Sequence, residues 1–160
     1  MGKLMTLAQL QYGKLNVINK LYFLKKPMFK TKRKINFYDC DPAGVLFFGR
    51  IFELCHSAYE ELIAGFDLKE DYWNNEEYIV PILNSEAHYR KPMKYGEDIS
   101  VEIKVSKLKS SSFELDFVCR NDKDEECTHV RTVHVCVDKS TWKKQPLKKE
   151  IHSRLSEYLV

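Results

Sequence analysis

The clearest pattern in the chain is a helical one, which covers residues 47–65. Apolar residues follow Phe47 at positions 51, 54, 55, 58, 62 and 63. This spacing places them on one face of an α-helix. Charged and small polar residues fill the opposite face, and Gly65 follows as a residue type that commonly ends helices. We therefore predict a long amphipathic helix whose apolar side is buried.

Beyond this helix the apolar residues alternate with polar ones, which is the spacing of half-buried β-strands. The alternation is strongest over residues 99–106 and 113–120. Residues 128–138 continue it, with valines on one side and Thr132 and His134 among the residues on the other. Each of these segments predicts one strand.

Two further extended segments, residues 31–39 and 78–92, lie on either side of the predicted helix along the chain. The predicted order is thus strand, helix and then four strands in succession. Short connections such as the turn at 109–111 favour antiparallel pairing. The sequence predicts an α+β fold in which one long helix covers a sheet of about five antiparallel strands. A short helix is expected after Pro146.

The composition is typical of one globular domain. The chain has 160 residues, of which 44% are hydrophobic, and no apolar run approaches the roughly 18 residues needed to span a bilayer. Its five cysteines include no C-x-x-C pair. This pattern favours reduced thiols over a disulfide framework or a structural zinc site. We therefore expect a cytoplasmic protein without a membrane span or a metal.

The positive charge is concentrated at the start of the chain. Nine of the 26 basic residues precede Asp39, which is the first acidic residue, so 17 basic and 23 acidic residues remain after it. We interpret residues 1–28 as a basic N-terminal extension and residues 29–160 as the domain. Since the domain is mildly acidic, nucleic-acid binding, which needs a basic face, is not expected.

The segment DCDPAGVLFF, at residues 39–48, places two acids in a turn directly before the predicted helix. It resembles the signature of the 4-hydroxybenzoyl-CoA thioesterase branch of the hotdog-fold thioesterases, and the resemblance extends over roughly residues 31–145. In that family a curved antiparallel sheet wraps around a long central helix. Its members hydrolyse acyl-CoA thioesters without a metal or cofactor, as homodimers or as homotetramers built from two dimers. The resemblance implies the same properties for this chain.

In this branch the second aspartate of the signature is the catalytic carboxylate, which implies that role for Asp41. The residue type alone favours a turn or capping residue. A catalytic carboxylate would attack the thioester as a nucleophile or act as a general base on water, and the sequence leaves both open. The helix N-terminus would polarise the carbonyl oxygen. The predicted substrate-binding residues around it are Gly44, Phe47, Phe48 and Gly49.

A narrower similarity adds a candidate contact to the acyl group. The segments CHSAYEEL (residues 55–62) and HVRTVHVCVDKSTWKKQPL (residues 129–147) resemble the 1,4-dihydroxy-2-naphthoyl-CoA hydrolases of quinone biosynthesis. His56 lies where the 4-hydroxybenzoyl enzymes carry an acidic residue that contacts the ring hydroxyl. We therefore predict that His56 contacts the aromatic acyl group, and that the alternative is a helix histidine satisfied by a neighbour.

Coenzyme A carries phosphates, so cationic side chains are expected to line its channel. The stretch around residues 107–113 aligns with the nucleotide-binding stretch of the 4-hydroxybenzoyl enzymes, which implies that Lys109 and Ser112 contact CoA. Arg90 and Lys91 are further candidates near the pyrophosphate. An ordinary solvated hairpin is the alternative for residues 107–113.

Taken together, these resemblances imply an acyl-CoA thioesterase acting on an aromatic acyl-CoA, with 1,4-dihydroxy-2-naphthoyl-CoA as the leading substrate in menaquinone or phylloquinone biosynthesis. Two alternatives stay open at this point. One is the same reaction on 4-hydroxybenzoyl-CoA or a fatty acyl-CoA. The other is a hotdog protein that binds acyl groups without catalysis, because a fold by itself does not establish an activity.

Overall fold

The computed structural model describes residues 28–160, so the predicted N-terminal extension lies outside the described residues except for Met28. This range contains seven strands and two α-helices. In chain order they are β1 Phe29–Lys34, α1 Arg50–Ala64, β2 Tyr78–Ile79, β3 Ile82–Tyr89, β4 Asp98–Leu108, β5 Ser112–Arg120, β6 Glu126–Val135, β7 Val137–Asp138 and α2 Lys149–Glu157.

Five of the strands form one antiparallel sheet in the order β1-β4-β5-β6-β3. The β4 and β5 strands form a hairpin, which is closed by a hydrogen bond from the Lys109 backbone N–H to the Ser112 carbonyl at 2.8 Å. The short strands β2 and β7 pair with each other separately. The predicted α+β class, the five-stranded sheet and the hairpin turn at 109–111 are all confirmed.

Helix α1 packs on one face of this sheet, mainly against β4 and β1. The strands β4 and β5 present fully buried side chains to the helix, since Ile99, Val101, Ile103, Leu115 and Phe117 are each at most 1% exposed. The helix contributes the apolar side that the sequence predicted. Its buried residues are Ile51, Cys55, Ala58, Tyr59, Leu62 and Ile63.

Several elements differ from the sequence prediction. The predicted strand at 78–92 is divided into β2 and β3, and the predicted strand at 128–138 is divided into β6 and β7, because β2 and β7 leave the main sheet and pair with each other.

The first strand begins at Phe29 instead of residue 31. The first strand ends at Lys34 instead of continuing to residue 39, because Phe37–Asp39 form a short 3-10 helix. Helix α1 begins at Arg50 instead of residue 47, and the preceding three residues form a turn closed by the Arg50 N–H and the Phe47 carbonyl at 2.9 Å. Gly65 ends the helix as predicted, although with φ −70° it does not adopt the left-handed conformation.

The second helix, α2, confirms the predicted C-terminal helix and closes one end of the core with Ile151 and Leu155. In the part of the chain that the structure describes, no helix is both long and apolar enough to cross a bilayer.

Replacement of Val101 by alanine tests this account of the core. Val101 is fully buried, so we expect Val101→Ala to lower the free energy of unfolding by about 2 kcal/mol, through lost apolar burial and the cavity left behind. Val160, which is 61% exposed, offers the matched control. Val160→Ala should change the value by less than about 0.5 kcal/mol. Urea unfolding measures both, and equal effects would contradict the assigned core.

Candidate active site

Asp41 lies in the turn that leads into α1. Its Oδ1 accepts hydrogen bonds from the backbone N–H groups of Ala43 at 2.8 Å and of Val45 at 3.5 Å. Gly44, between them, has φ +75°, a left-handed conformation that favours glycine. Within residues 28–160, Oδ2 of Asp41 has no hydrogen-bond partner. One carboxylate oxygen therefore holds the turn, and the other is available to a ligand.

Asp39 fixes the start of the same turn. Its Oδ2 accepts hydrogen bonds from the Asn36 backbone N–H at 2.9 Å and from the Asn36 side-chain amide at 3.2 Å. Its backbone carbonyl accepts a hydrogen bond from the Phe47 N–H at 2.9 Å. Asp39 thus connects the residues before the 3-10 helix to those that precede α1.

Two backbone N–H groups, those of Phe48 and Gly49, donate to no acceptor within the described residues. They directly precede the first residue of α1, where the helix dipole is positive. The Phe48 carbonyl accepts a hydrogen bond from the Tyr89 hydroxyl at 2.7 Å, which ties this turn to the end of β3. At Gly49 a Cβ would lie 3.2 Å from the Phe47 ring, so a side chain there would crowd the turn. This arrangement can bind a carbonyl oxygen or an oxyanion.

A cavity of about 590 Å³ runs along one flank of α1, between the helix and the inner faces of β3, β5 and β6. It begins at Phe52, less than one helical turn after Arg50. Its volume is within the range of small-molecule sites. Phe52, Cys55, Tyr59, Ile82 and Phe117 form the apolar part of the wall. The polar side chains at the wall are Glu53, His56, Ser57 and Glu60 of α1 and Ser85, Thr132 and His134 of the strands.

His56 lies at the open side of this cavity, since 43% of its side chain is exposed. Its Nε2 is 3.5 Å from a carboxylate oxygen of Glu60, one turn further along the helix. The Trp73 ring lies near it, with ring centroids 6.0 Å apart. His56 therefore lines the cavity, and its role toward a substrate stays a prediction.

His134 lies at the closed side of the cavity and is only 1% exposed. Its Nε2 is 2.7 Å from the Thr132 hydroxyl oxygen, and its Nδ1 has no partner in the described residues. The ring stacks on Phe113 at a centroid distance of 4.6 Å. Burial, with a smaller contribution from His56, lowers the pKa of His134 to about 3. The imidazole is therefore neutral at neutral pH.

The polar side of strand β6 faces the core, and this is the part of the site that the sequence did not reveal. Thr128, Thr132 and His134 are buried together with Val130, whereas Val133 is on the outer face. Alternation identified the strand but not which of its sides is inside. The only signal was that three polar residues share one side with Val130. No cluster of three or more potential metal ligands occurs within residues 28–160.

Arg90 and Lys91 line a smaller cavity of about 280 Å³ together with Val45 and Leu46, close to the turn that holds Asp41. Both cations are paired in the structure. The Arg90 guanidinium is 2.8 Å from Glu126, and the Lys91 ammonium is 2.5 Å from Glu125. These pairs are largely exposed, so a phosphate could compete for the cations at low cost.

Lys109 and Ser112 lie at the opposite end of the sheet from Asp41. The Asp41 turn is connected to residues 93–97, just before β4, through the Leu46 N–H to Met93 carbonyl hydrogen bond. Strand β4 then continues for eleven residues before Lys109, a length of roughly 33 Å at the usual rise per residue. A single chain therefore does not bring these two residues to Asp41.

Comparison with known proteins identifies the family of this chain. The model of the thioesterase-like superfamily matches residues 35–155, which is most of the chain. The chain belongs to the thioesterase-like superfamily. Its curated relatives include the 1,4-dihydroxy-2-naphthoyl-CoA hydrolase of Synechococcus elongatus, which is 29% identical over 129 residues that cover 79% of this chain and 94% of that protein. The hydrolase of the same name from Prochlorococcus marinus is 32% identical over 134 residues, with coverages of 79% and 86%.

Solved structures show the same fold. The crystal structure of a 1,4-dihydroxy-2-naphthoyl-CoA thioesterase from Synechocystis has a TM-score of 0.76 at 22% identity, covering 81% of this chain and 96% of that one. A DHNA-CoA thioesterase from Staphylococcus aureus has a TM-score of 0.74 at 20% identity, with coverages of 81% and 89%. The predicted hotdog fold and membership in a thioester hydrolase family are both confirmed.

Replacement of His134 by phenylalanine tests the buried, neutral imidazole. A histidine whose pKa is about 3 in the folded protein and about 6.5 when unfolded takes up a proton on unfolding in acid, so stability falls as pH decreases below about 6.5. Between about pH 6 and about pH 4 this single group should lower the free energy of unfolding of the wild type by roughly 2 kcal/mol. His134→Phe should remove that part of the dependence of stability on pH.

Urea unfolding at a series of pH values measures this slope. The matched control is His152, which lies outside β3 and is not among the buried residues of α2, and His152→Phe should keep most of the wild-type slope. If His134→Phe and the wild type lose stability in parallel, the imidazole is not held neutral by burial.

Proposed function

We propose that this protein hydrolyses the thioester of an aromatic acyl-CoA, with 1,4-dihydroxy-2-naphthoyl-CoA as the leading substrate. The observation that carries the proposal is the position of the large cavity, since its lining residue Phe52 follows within about one helical turn the Phe48 and Gly49 N–H groups, which have no acceptor in the described residues. Asp41, Phe48 and Gly49 lie outside the lining of this cavity. An acyl group lying along α1 would place its carbonyl carbon at those groups. The named relatives, which match over most of their length, support the choice of substrate.

In the proposed reaction the N–H groups of Phe48 and Gly49 stabilise the oxyanion that forms when the thioester carbonyl is attacked. Oδ2 of Asp41 supplies the carboxylate chemistry, since Oδ1 is engaged by the turn. As a nucleophile, Oδ2 would displace CoA thiolate and form an anhydride, which water then cleaves. As a general base, Oδ2 would take a proton from the attacking water.

The CoA moiety is proposed to leave the cavity past the helix N-terminus, where Arg90 and Lys91 can exchange their exposed carboxylate partners for phosphates. Lys109 and Ser112 would join them only from a second subunit, because they lie at the far end of β4 in their own chain. Lys109 has no salt-bridge partner among the described residues.

A second subunit is also suggested by strand β3. In the described residues β3 is an edge of the sheet, and seven of its eight residues are exposed, including Ile82, Leu83 and Tyr89. An exposed edge strand is a template for pairing with another chain. Pairing of two β3 strands about a two-fold axis would make a homodimer and would bring the far end of one sheet to the Asp41 end of the other. Assembly as a homodimer or homotetramer and cytoplasmic location are therefore part of the proposal.

Replacement of Asp41 by asparagine tests the proposed chemistry. Asparagine keeps an oxygen that can accept the Ala43 N–H, so the turn survives while the nucleophilic or basic oxygen is lost. We expect Asp41→Asn to lower kcat on 1,4-dihydroxy-2-naphthoyl-CoA by roughly three orders of magnitude with little change in KM. The measurement is release of CoA thiol under steady-state conditions.

Asp39 provides the matched control, because it lies two residues away in the same turn and only its hydrogen-bond acceptance is required. Asp39→Asn should therefore keep kcat within about threefold of the wild type. An Asp41→Asn protein that turns over at the wild-type rate, with an unchanged melting temperature, would refute the assigned carboxylate.

A charged side chain introduced on the exposed edge strand β3 tests the proposed assembly. Leu83 is 67% exposed on β3, and Leu83→Lys would bury a positive charge from each subunit in the proposed β3–β3 interface. We expect the variant to be monomeric in analytical ultracentrifugation and to lose most of its kcat/KM, because the second subunit completes the CoA site. Val160→Lys, at an exposed position outside β3, should change neither. A monomeric Leu83→Lys protein with full activity would contradict the shared site.

A further inference from the structure

The closed side of the large cavity ends on two neighbouring polar residues of β6, and the reaction proposed above uses neither. Thr132 and His134 lie two positions apart on the inner face of the strand and both line the cavity. Thr132 is 6% exposed and His134 is 1% exposed. Polar groups buried this deeply normally have all their hydrogen bonds satisfied. The question is which partner completes this pair.

The pair has one hydrogen bond and one unpartnered atom. His134 Nε2 and Thr132 Oγ1 are 2.7 Å apart, and His134 Nδ1 has no partner in the described residues. A neutral imidazole carries a single N–H. If that hydrogen were on Nδ1, a buried N–H donor would be left without an acceptor, which is rarer in proteins than an unpaired acceptor.

The geometry therefore assigns the hydrogen to Nε2, which donates to the Thr132 oxygen. Because that oxygen already accepts, the Thr132 hydroxyl hydrogen is free to donate to a ligand. The low pKa of His134 keeps the ring neutral at neutral pH, so this arrangement does not change there. Stacking on Phe113 and contact with the Tyr59 ring, at a centroid distance of 4.9 Å, hold the imidazole in place.

We propose that Thr132, oriented by His134, donates a hydrogen bond to an oxygen on the aromatic ring of the acyl group and so selects ring-hydroxylated substrates. This inference rests on the function proposed above, and it assigns Thr132 as a specificity residue and His134 as its positioning residue. Aromatic side chains around the cavity suit a flat ring, and Thr132 adds the polar contact at its inner end.

Both walls of the cavity offer polar side chains, which are Glu53, His56, Ser57 and Glu60 on α1 and Ser85, Thr132 and His134 on the strands. His56 belongs to α1 at the open side, and Thr132 belongs to β6 at the closed side. A ring with oxygens at opposite positions would present one oxygen to each wall. A ring without hydroxyl groups would leave the Thr132 hydrogen unpaired in a desolvated site, which enzymes penalise strongly.

The test compares kcat/KM for 1,4-dihydroxy-2-naphthoyl-CoA with kcat/KM for 2-naphthoyl-CoA, which lacks the hydroxyl groups. The ratio of the two values is followed across variants, so intrinsic differences in thioester reactivity cancel. Thr132→Val removes the hydroxyl at constant shape and should reduce the ratio roughly tenfold or more. Thr132→Ser, which restores a hydroxyl, should keep the ratio within about threefold of the wild type.

Thr128 supplies a matched control on the same strand face. Its hydroxyl is buried like that of Thr132, but Thr128 does not line the cavity. Thr128→Val should therefore leave the substrate ratio unchanged. For His134, a glutamine side-chain amide can replace the Nε2–H donor and phenylalanine cannot. His134→Phe should lower the ratio, and His134→Gln should recover most of it, a difference that a purely structural role would not produce.

Binding of the free acids separates this inference from the proposed function. The dissociation constants of 1,4-dihydroxy-2-naphthoate and 2-naphthoate are measured for the wild type and Thr132→Val, with melting temperatures confirming that both are folded. If the wild type prefers the hydroxylated acid and Thr132→Val does not, the inference is supported. This holds even if neither thioester is hydrolysed, and in that case only the proposed function fails. An equal preference in both proteins, or an unchanged kcat/KM ratio in an active Thr132→Val, overturns it.

Discussion

The structure depends on the burial of one long helix against one face of a wider sheet. The apolar side of α1 meets inward side chains of β4 and β5 that are almost fully buried, and each such side chain contributes about 1.5–3 kcal/mol. A single helix is narrower than five strands, so it cannot cover the sheet completely. The flank toward β6 and β3 stays open as the cavity. The packing that stabilises the fold therefore also creates the space for a ligand.

The turn before α1 lets the helix begin while backbone N–H groups at its N-terminus stay available to a ligand. Asp39 and Asp41 satisfy N–H groups earlier in the turn, at Asn36 and Ala43. The N–H groups of Phe48 and Gly49 are left without a partner in the described residues. An acid that capped the helix directly would occupy that position. The atoms that hold the turn thus differ from the N–H groups that are proposed to bind the oxyanion, although both belong to the same short segment.

Much of the fold was readable from local patterns, because helical and alternating periodicities follow directly from which side chains must be buried. The helix, the main strands and the hairpin turn at 109–111 were predicted for this reason. The start of α1 was misplaced because Phe47 continues the apolar pattern into a turn held by a backbone hydrogen bond to Asp39. The polar inner face of β6 was missed because alternation does not say which side of a strand meets the helix. Likewise, no local pattern could show that Lys109 and Asp41 lie at opposite ends of β4.

The most direct test of the account is the substrate profile of the unmodified protein. Steady-state CoA release is measured with 1,4-dihydroxy-2-naphthoyl-CoA, 4-hydroxybenzoyl-CoA and palmitoyl-CoA under identical conditions. We expect the highest kcat/KM for the naphthoyl thioester, exceeding that for the fatty acyl thioester by about tenfold or more, since the cavity is lined by aromatic and hydrogen-bonding side chains. A preference for palmitoyl-CoA, or no CoA release from any of the three, would contradict it.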